Sequence, residues 1–555
     1  MAAAPLQDSP GAKLRRRLAT AWYGTRFYAL TLPRRAPLEL PVLPDDPWLG
    51  TVANADRLFQ GRFLFAGAEV VSPHAAPWAL SAADAGLDPV SHAAWAAGLH
   101  GFAWLRDFAT QGGDMARRMA RSLVADWIAR HIVPICGLPW QPQIAGRRLT
   151  QWLLAAHFLL DGADESFGHD FLLGIARHTA HLKRAAITAP PGLPRFDAAL
   201  GAVYGTEALG EGQDMAALHA LCAVLDAQVL ADGGHVSRNP SILYRLLRDV
   251  VALWRFLHAI DPERAALLQP YLDRMAPMLR FFRHGDGGLA LFHGAEEEVA
   301  AQVDLALELS GAKGKPLNSA TPSGFERAAA KRALLLLDAG APPPGGKARG
   351  LAGSTPHSGL LAFEFSHGKD RLIVNCGASR RPGGGWAAAL SGVAAHSTLC
   401  LGSTEPAASA TVTVTRNEQD GAIWFEAEHD GWRATYHRVY RRRIYLSAGG
   451  EDLRGEEIVT ESQPSANGGM PVEAVLRLHL HPGMHASLIG SGDTVILKTA
   501  GGQGWRWRGM GGMVRLEDSV YLGGGGDLRR TQQIVMAGSA GTEALVFKWA
   551  LTKIN

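Results

Sequence analysis

Near residue 315 the chain changes its hydrophobic period, and that change admits few folds. Ahead of it, apolar residues recur every three or four positions. Met115, Met119, Leu123, Trp127 and Ile128 form one stripe over 115–129. Ile242, Leu246, Val250, Leu253, Trp254 and Leu257 form another over 242–257. Such spacing places apolar side chains on one face of a helix. Further helices are expected over 91–109, 147–160, 166–184, 195–209, 213–230 and 263–282. Pro134, Gly137 and Pro139, then Pro190, Pro191 and Gly192, then Gly233 and Gly234 separate them. The Pro-rich stretch 33–90 reads as irregular.

Beyond 315, short β-prone runs alternate with Gly-rich turns, at 334–337, 360–365, 372–374, 411–415, 423–428, 434–440, 444–448, 474–481, 494–498, 505–507, 513–516 and 534–536. Thr411–Thr415 reads TVTVT, a strict period of two. Helices first and strands second imply an α+β chain of two domains, not an alternating α/β fold. The strand half reads as a β-sandwich.

Composition narrows the function classes. A hydrophobic content of 47% excludes a disordered chain. Cys136, Cys222, Cys376 and Cys400 lie far apart with no CxxC pair, which argues against a zinc ribbon, an iron–sulfur site or a disulfide scaffold; buried thiols are expected. A formal charge of +3 gives no overall field for nucleic acid. No uninterrupted apolar run reaches the length of a membrane span. Arg15, Arg16 and Arg17 begin like a signal sequence, but Tyr23, Gly24, Thr25 and Arg26 break the apolar stretch that should follow. Residues 1–45 therefore read as a basic lead-in, solvated or lying on a membrane surface. The cytoplasm is the expected compartment, with the periplasm left open.

No GxGxxG opens a helix after a strand, and GxxxxGK[ST], HExxH and GxSxG are missing. No nucleotide cofactor is expected. Four clusters remain: Asp232–Pro240 (DGGHVSRNP), Thr355–Phe363 followed by Leu372–Gly377, Ala395–Leu399, and His479–Gly483. Asn239-Pro240 also reads as an N-cap and first-turn proline. Asp286 in HGDG reads as a turn aspartate or a cleft residue. Arg147 and Arg148, just before Trp152, could hold carboxylates or sulfates while the aromatic stacks a sugar, with a solvated helix face as the alternative. Arg441, Arg442 and Arg443 lie on a strand and should alternate between its faces.

DGGHVSRNP at 232–240, FFRHGDGGLALFHG at 281–294, HSGLLAFEF at 357–365, RLIVNCG at 371–377, AAHSTL at 394–399 and RLHLHPG at 477–483 together resemble the heparinase II/III family of polysaccharide lyases. The resemblance implies an incomplete (α/α) toroid over 46–315 and an antiparallel β-sandwich over 316–555. It implies β-elimination on an acidic, uronic-acid-containing polysaccharide. A base would remove the C5 proton, an acid would protonate the leaving oxygen, and polar groups would face the carboxylate.

Carried onto this chain, the resemblance makes His235 the base or acid and sets Arg238 and Asn239 near the carboxylate. Tyr244 and Tyr204 are outside choices, because Ile242 stands where the family's tyrosine is expected. Arg147, Arg148, Trp152 and Asp286 would bind substrate. A zinc ion would be held by His357, His396 and Asn375, with Thr355 and Gly359 standing where the family has His and Asp. Two other readings stay open. One is a non-catalytic acidic-glycan binder on the same scaffold. The other is a glycoside hydrolase using Asp232 and Asp286. A homodimer is also left open.

Overall fold

The computed structural model describes residues 10–72, 77–133, 135–342, 357–382, 384–462, 470–490, 492–525 and 527–554. Pro134, Thr355, Pro356 and the first nine residues of the lead-in lie outside them.

The lead-in forms a helix, Pro10–Tyr23, with no buried residue. Tyr28 follows it and anchors the segment through a 2.8 Å hydrogen bond between its hydroxyl and His181 Nδ1. The stretch expected to be irregular contains a hairpin, Arg62–Phe65 against Ala68–Val71. Its two-residue turn, Ala66-Gly67, has φ of 47° and 68°, the geometry that matches strand twist. The sequence signal is weak because Ala replaces the usual Asn or Gly.

Helices run from Pro89–His100 to Ala300–Leu309. Asp88, Asp164, Asn239 and Asp261 cap four of them by accepting backbone N–H groups. Some expected helices are divided. The 91–109 stretch becomes Pro89–His100 and Leu105–Gln111, with Phe102 at φ 58° between them. The helix Leu193–Ala208 lies inside the helical half and crosses Pro142–Leu154 at two glycines. A Cβ on Gly146 would stand 2.2 Å from the Asp197 carbonyl oxygen, and one on Gly201 2.5 Å from the Gly146 Cα. Only glycine permits this backbone approach. Among the described residues, no helix is long and apolar enough to cross a membrane.

The strand half packs two antiparallel sheets face to face. One has, among the described residues, eight strands in the order Met484–Ile489, Thr494–Thr499, Gly504–Met510, Leu545–Ile554, Asp452–Glu461, Arg438–Leu446, Ala422–Trp432 and Val412–Gln419. The other runs Met513–Tyr521, Arg529–Ala540, Val472–Leu480, Asp370–Val374, Phe363–His367, Ala333–Asp338, Phe325–Ala330 and Ser319–Ala320, with Leu399–Leu401 paired to Val472–Leu480. Phe363, Phe365, Trp505, Trp507 and Trp549 fill the space between them. The expected strand at 434–440 is instead a helical turn, Arg433–Tyr436, ended by His437 at φ 55°; the strand starts at Arg438. A register shift in the partner strand between His429 and Trp432 accompanies this turn.

Arg441, Arg442 and Arg443 do alternate. Arg442 is fully buried against Glu457, while Arg441 and Arg443 meet Glu428 and Glu426 on the outer face. All four cysteines are free; Cys376 and Cys400 are buried, Cys222 is half-buried and Cys136 is exposed, contrary to expectation.

Candidate functional site

The DGGHVSRNP segment forms a tight loop that feeds the helix Pro240–Ile260. Gly233 has φ 88°, and a Cβ there would stand 2.0 Å from the Arg274 carbonyl oxygen. His235 is 1% exposed. Its Nε2 lies 3.2 Å from Gln228 Oε1, and its Nδ1 accepts the Ser237 backbone N–H at 3.0 Å. Burial pushes its pKa down to about 3, so it is a neutral imidazole held on both sides.

Arg238, at φ 61°, reaches across to the sandwich. Its guanidinium donates to the carbonyls of Ser323, Gly324, Gly340 and Ala341, forms an ion pair with Asp338, and lies 4.6 Å from the Phe325 ring centre. Asn239 accepts the N–H groups of Ser241 and Ile242 as N-cap and donates Nδ2–H to the His293 carbonyl at 2.8 Å. Asp232 accepts the Ser323 N–H and hydroxyl, both at 2.7 Å. Expected as reaction groups, these side chains are used structurally: Arg238 and Asp232 join the helical half to the sandwich, while His235 and Asn239 brace the loop within the helical half.

The other expected site residues divide. Arg148 and Trp152 lie in the helical core. Arg148 donates to His178 Nε2 at 2.9 Å and to the His100 carbonyl at 3.1 Å, and sits 3.9 Å from the Trp127 ring centre. Trp152 is fully buried against Phe102, Trp127 and His178. Neither reaches a cleft, because the buried stripe of Pro142–Leu154 includes both positions. Asp286 holds its own turn through the Gly288 N–H and pairs with Arg371 at 2.7 Å, so its carboxylate is occupied. Tyr204 stacks on Phe256, and Tyr244 is buried beneath Arg248 with its pKa pushed up to about 12 by burial.

Arg147 behaves differently. It is half-buried on the polar side of its helix, beside Arg245, whose charge together with burial lowers its pKa. Arg245 pairs with Asp197 and approaches Asp249 at 3.7 Å, while Arg106 pairs with Asp46 at 2.6 Å. Arg248 lies over the rings of Trp48 and Tyr244 at 4.9 and 5.5 Å. Arg245 and Arg248 fall on the half-buried stripe of Pro240–Ile260, one turn apart. Together these groups make a charged seam along the helical half. Its other arginines escaped sequence reading because they come from two segments far from Arg147 in the chain.

At the junction the structure gathers a second set: Asn239, His293, His357 and His396. His357 Nδ1 is 3.2 Å from His396 Nε2, and His396 Nδ1 is 2.9 Å from the Gly392 carbonyl. A carbonyl only accepts, so His396 carries its proton on Nδ1 and its Nε2 accepts from His357 Nδ1–H. Among the described residues, that leaves His357 Nε2 with a lone pair no donor engages, on the side of Gly294. A Cβ at Gly294 would lie 3.0 Å from it and 3.6 Å from Asn239 Nδ2. Burial lowers the pKa of both, that of His396 to about 4. His293, at φ 52°, places Nε2 2.8 Å from Asp338 Oδ2. His293 was missed as a site residue; its position at the close of the 281–294 segment, next to a glycine of positive φ, was the available signal.

A sequence model described as heparinase II/III-like, C-terminal, matches residues 312–550. The curated FtsZ-localized protein C of Caulobacter vibrioides (strain NA1000 / CB15N) is 31% identical over 559 residues, covering 96% of this chain and 93% of that protein. The chain belongs to the heparinase II/III family. Solved structures agree on the fold. A heparinase III structure matches with a TM-score of 0.70 at 14% identity, covering 98% of this chain and 90% of that one. The heparan sulfate lyase HepC of Pedobacter heparinus matches with a TM-score of 0.61 at 13% identity, covering 97% and 88%. The helical region and the antiparallel sheets are thus the toroid and sandwich of heparinase III.

The metal that the family resemblance implies does not fit the donors of this chain. Asn375 donates Nδ2–H to Glu364 at 3.1 Å and accepts the Ser397 N–H at 3.0 Å, which occupies both ends of its amide. Both nitrogens of His396 are engaged as well. Among the described residues, no group of three His, Cys, Asp or Glu side chains could hold a metal ion. Glu364 instead braces the junction, accepting the Leu291 and Asn375 N–H groups at 3.0 Å each and meeting His284 Nε2 at 2.9 Å.

Proposed function

We propose that this heparinase II/III family member binds an acidic glycan along the charged seam of its helical half without cleaving it. The observation that carries the reading is the use of Arg238 as a structural brace. A guanidinium that fills four carbonyls and one carboxylate has no donor left for a substrate carboxylate. His235 is held on both ring nitrogens, and Asn239 spends its oxygen on two backbone N–H groups and one amide hydrogen on the His293 carbonyl. The seam supplies what binding needs, with Arg147 and Arg248 as anion receptors, Arg248 being held over the buried Trp48 ring.

The test pairs two measurements on a panel of uronic-acid polysaccharides. Binding without growth of the unsaturated-uronate absorbance supports the reading. Absorbance growth on any polysaccharide overturns it and favours elimination. The lone pair on His357 Nε2 is the one observation that favours such chemistry, and His357→Gln would then abolish the absorbance.

The Caulobacter relative's name suggests a setting for this activity. We extend it to this chain as association with FtsZ. Co-sedimentation with FtsZ polymers from the same organism tests that extension, and recovery only in the supernatant refutes it.

A further inference from the structure

Strand register lines up a row of side chains on the outer face of the eight-stranded sheet. Trp424 pairs with Tyr445, Tyr445 with Arg454, Arg454 with Ala550, and Ala550 with Arg508. The neighbouring row carries Arg443, Glu456, Lys548 and Met510. Five strands at their normal separation span roughly 19 Å. A trough of about 530 Å³ lies over these rows. Gly455 and Gly509 form part of its floor. A Cβ on either would strike the tryptophans beneath, 2.1 Å from Trp549 and 2.5 Å from Trp507.

The two ends of the row differ. At one, Trp424 and Tyr445 meet at 5.6 Å with ring planes 65° apart. At the other, Ala550 is a small residue between two long cations. The side chains of Arg454 and Arg508 are 62% and 70% exposed, and each touches one carboxylate, Asp452 or Asp493. Exposed pairs of this kind are weak and exchange readily for a ligand with several charges.

We propose that this trough is a second binding site for an anionic sugar chain, distinct from the seam and from the junction. A sugar ring lies on Trp424 and Tyr445, and its carboxylate or sulfate sits over Ala550 between Arg454 and Arg508. The inference rests on the acidic-glycan reading of the protein but assigns a different surface. A sugar fits better than an acidic peptide. The ladder already uses the backbone groups of these strands, so a peptide lying across the face would leave its own N–H and C=O groups unmatched. Peptides that add to sheets do so at edges.

The experiment uses the full chain and two probes, a heparin octasaccharide and a hyaluronan octasaccharide, followed by calorimetry and tryptophan fluorescence. Two sites are expected for at least one probe. Trp424→Ala, and separately Arg454→Gln with Arg508→Gln, should remove one site or weaken it about tenfold. Trp424→Phe should keep it. Arg147→Gln with Arg248→Gln should remove the other site. Loss through the seam variants alone, with the trough variants binding as the parent does, overturns the trough and leaves the seam. Loss through the trough variants alone does the reverse. A polyglutamate peptide that binds as tightly as the sugars, and is lost with the same trough variants, makes this a protein-docking face and overturns the proposal. No binding of either sugar overturns both sites.

Discussion

His357 donates its Nδ1 proton to His396 Nε2 across 3.2 Å, and His396 passes the pattern on to the Gly392 carbonyl. The chain works only while His396 is neutral. An imidazolium at His396 would turn Nε2 from acceptor to donor and set two N–H groups against each other. Burial, the main cause of the lowered pKa at each ring, favours that neutral state.

Stability should therefore fall as pH drops below the ordinary histidine value. His396 has a folded pKa of about 4 and His235 of about 3, both below the unfolded value near 6.5. The unfolded chain binds more protons between these limits. The stabilisation is complete above pH 6.5 and is lost as pH falls toward 4 and then 3. For His396 this is on the order of 3 kcal/mol. Urea midpoints measured from pH 8 to pH 4 should decline, and His396→Gln should make the decline shallower. An unchanged midpoint over that interval refutes the assignment.

Arg238→Ala should destabilise the protein by about 3–5 kcal/mol, because it leaves the buried Asp338 with His293 but without its guanidinium. Arg238→Gly should be milder by about 1 kcal/mol, since glycine accepts φ 61° without strain. Chemical denaturation of both variants gives the comparison. Equal losses would mean that the backbone angle contributes nothing.

The glycine crossing makes a sharper demand. Gly146→Val places its branched carbon against the Asp197 carbonyl and should cost at least about 3 kcal/mol. Thermal unfolding is the readout. A melting temperature within a degree or two of the parent would show that the two helices can separate.

Adjacent arginines should behave as opposites. Arg147→Gln should lower glycan affinity and leave the unfolding midpoint nearly unchanged. Arg148→Gln should cost on the order of 3 kcal/mol by stranding His178 Nε2 and the His100 carbonyl inside the core. Binding and denaturation curves on the same pair of variants decide it.

The broad architecture was legible in the sequence because period is a local property. The stripe at 242–257 lies within one helix, Pro240–Ile260, and TVTVT falls almost wholly in the strand Val412–Gln419. The cap at Asn239 and the alternation of Arg441–Arg443 were readable for the same reason. The site was less legible. Arg147 and Arg148 are neighbours in sequence, yet about 100° of helical rotation puts one at the seam and the other in the core. His293, His357 and His396 come together only when the toroid closes on the sandwich. No spacing in one dimension records that meeting.

The brace at Arg238 also bears on what counts as a unit of inheritance. The C-terminal family pattern begins at 312, so the sandwich can be recognised without the helices. Physically it is not separable there. Severed from residue 238, the strand Ala333–Asp338 would keep an uncompensated anion, and the carbonyls of Ser323, Gly324 and Gly340 would lose their donor. A recombination event at the recognisable boundary would have to bring its own arginine. The two halves can be catalogued apart but must be exchanged together.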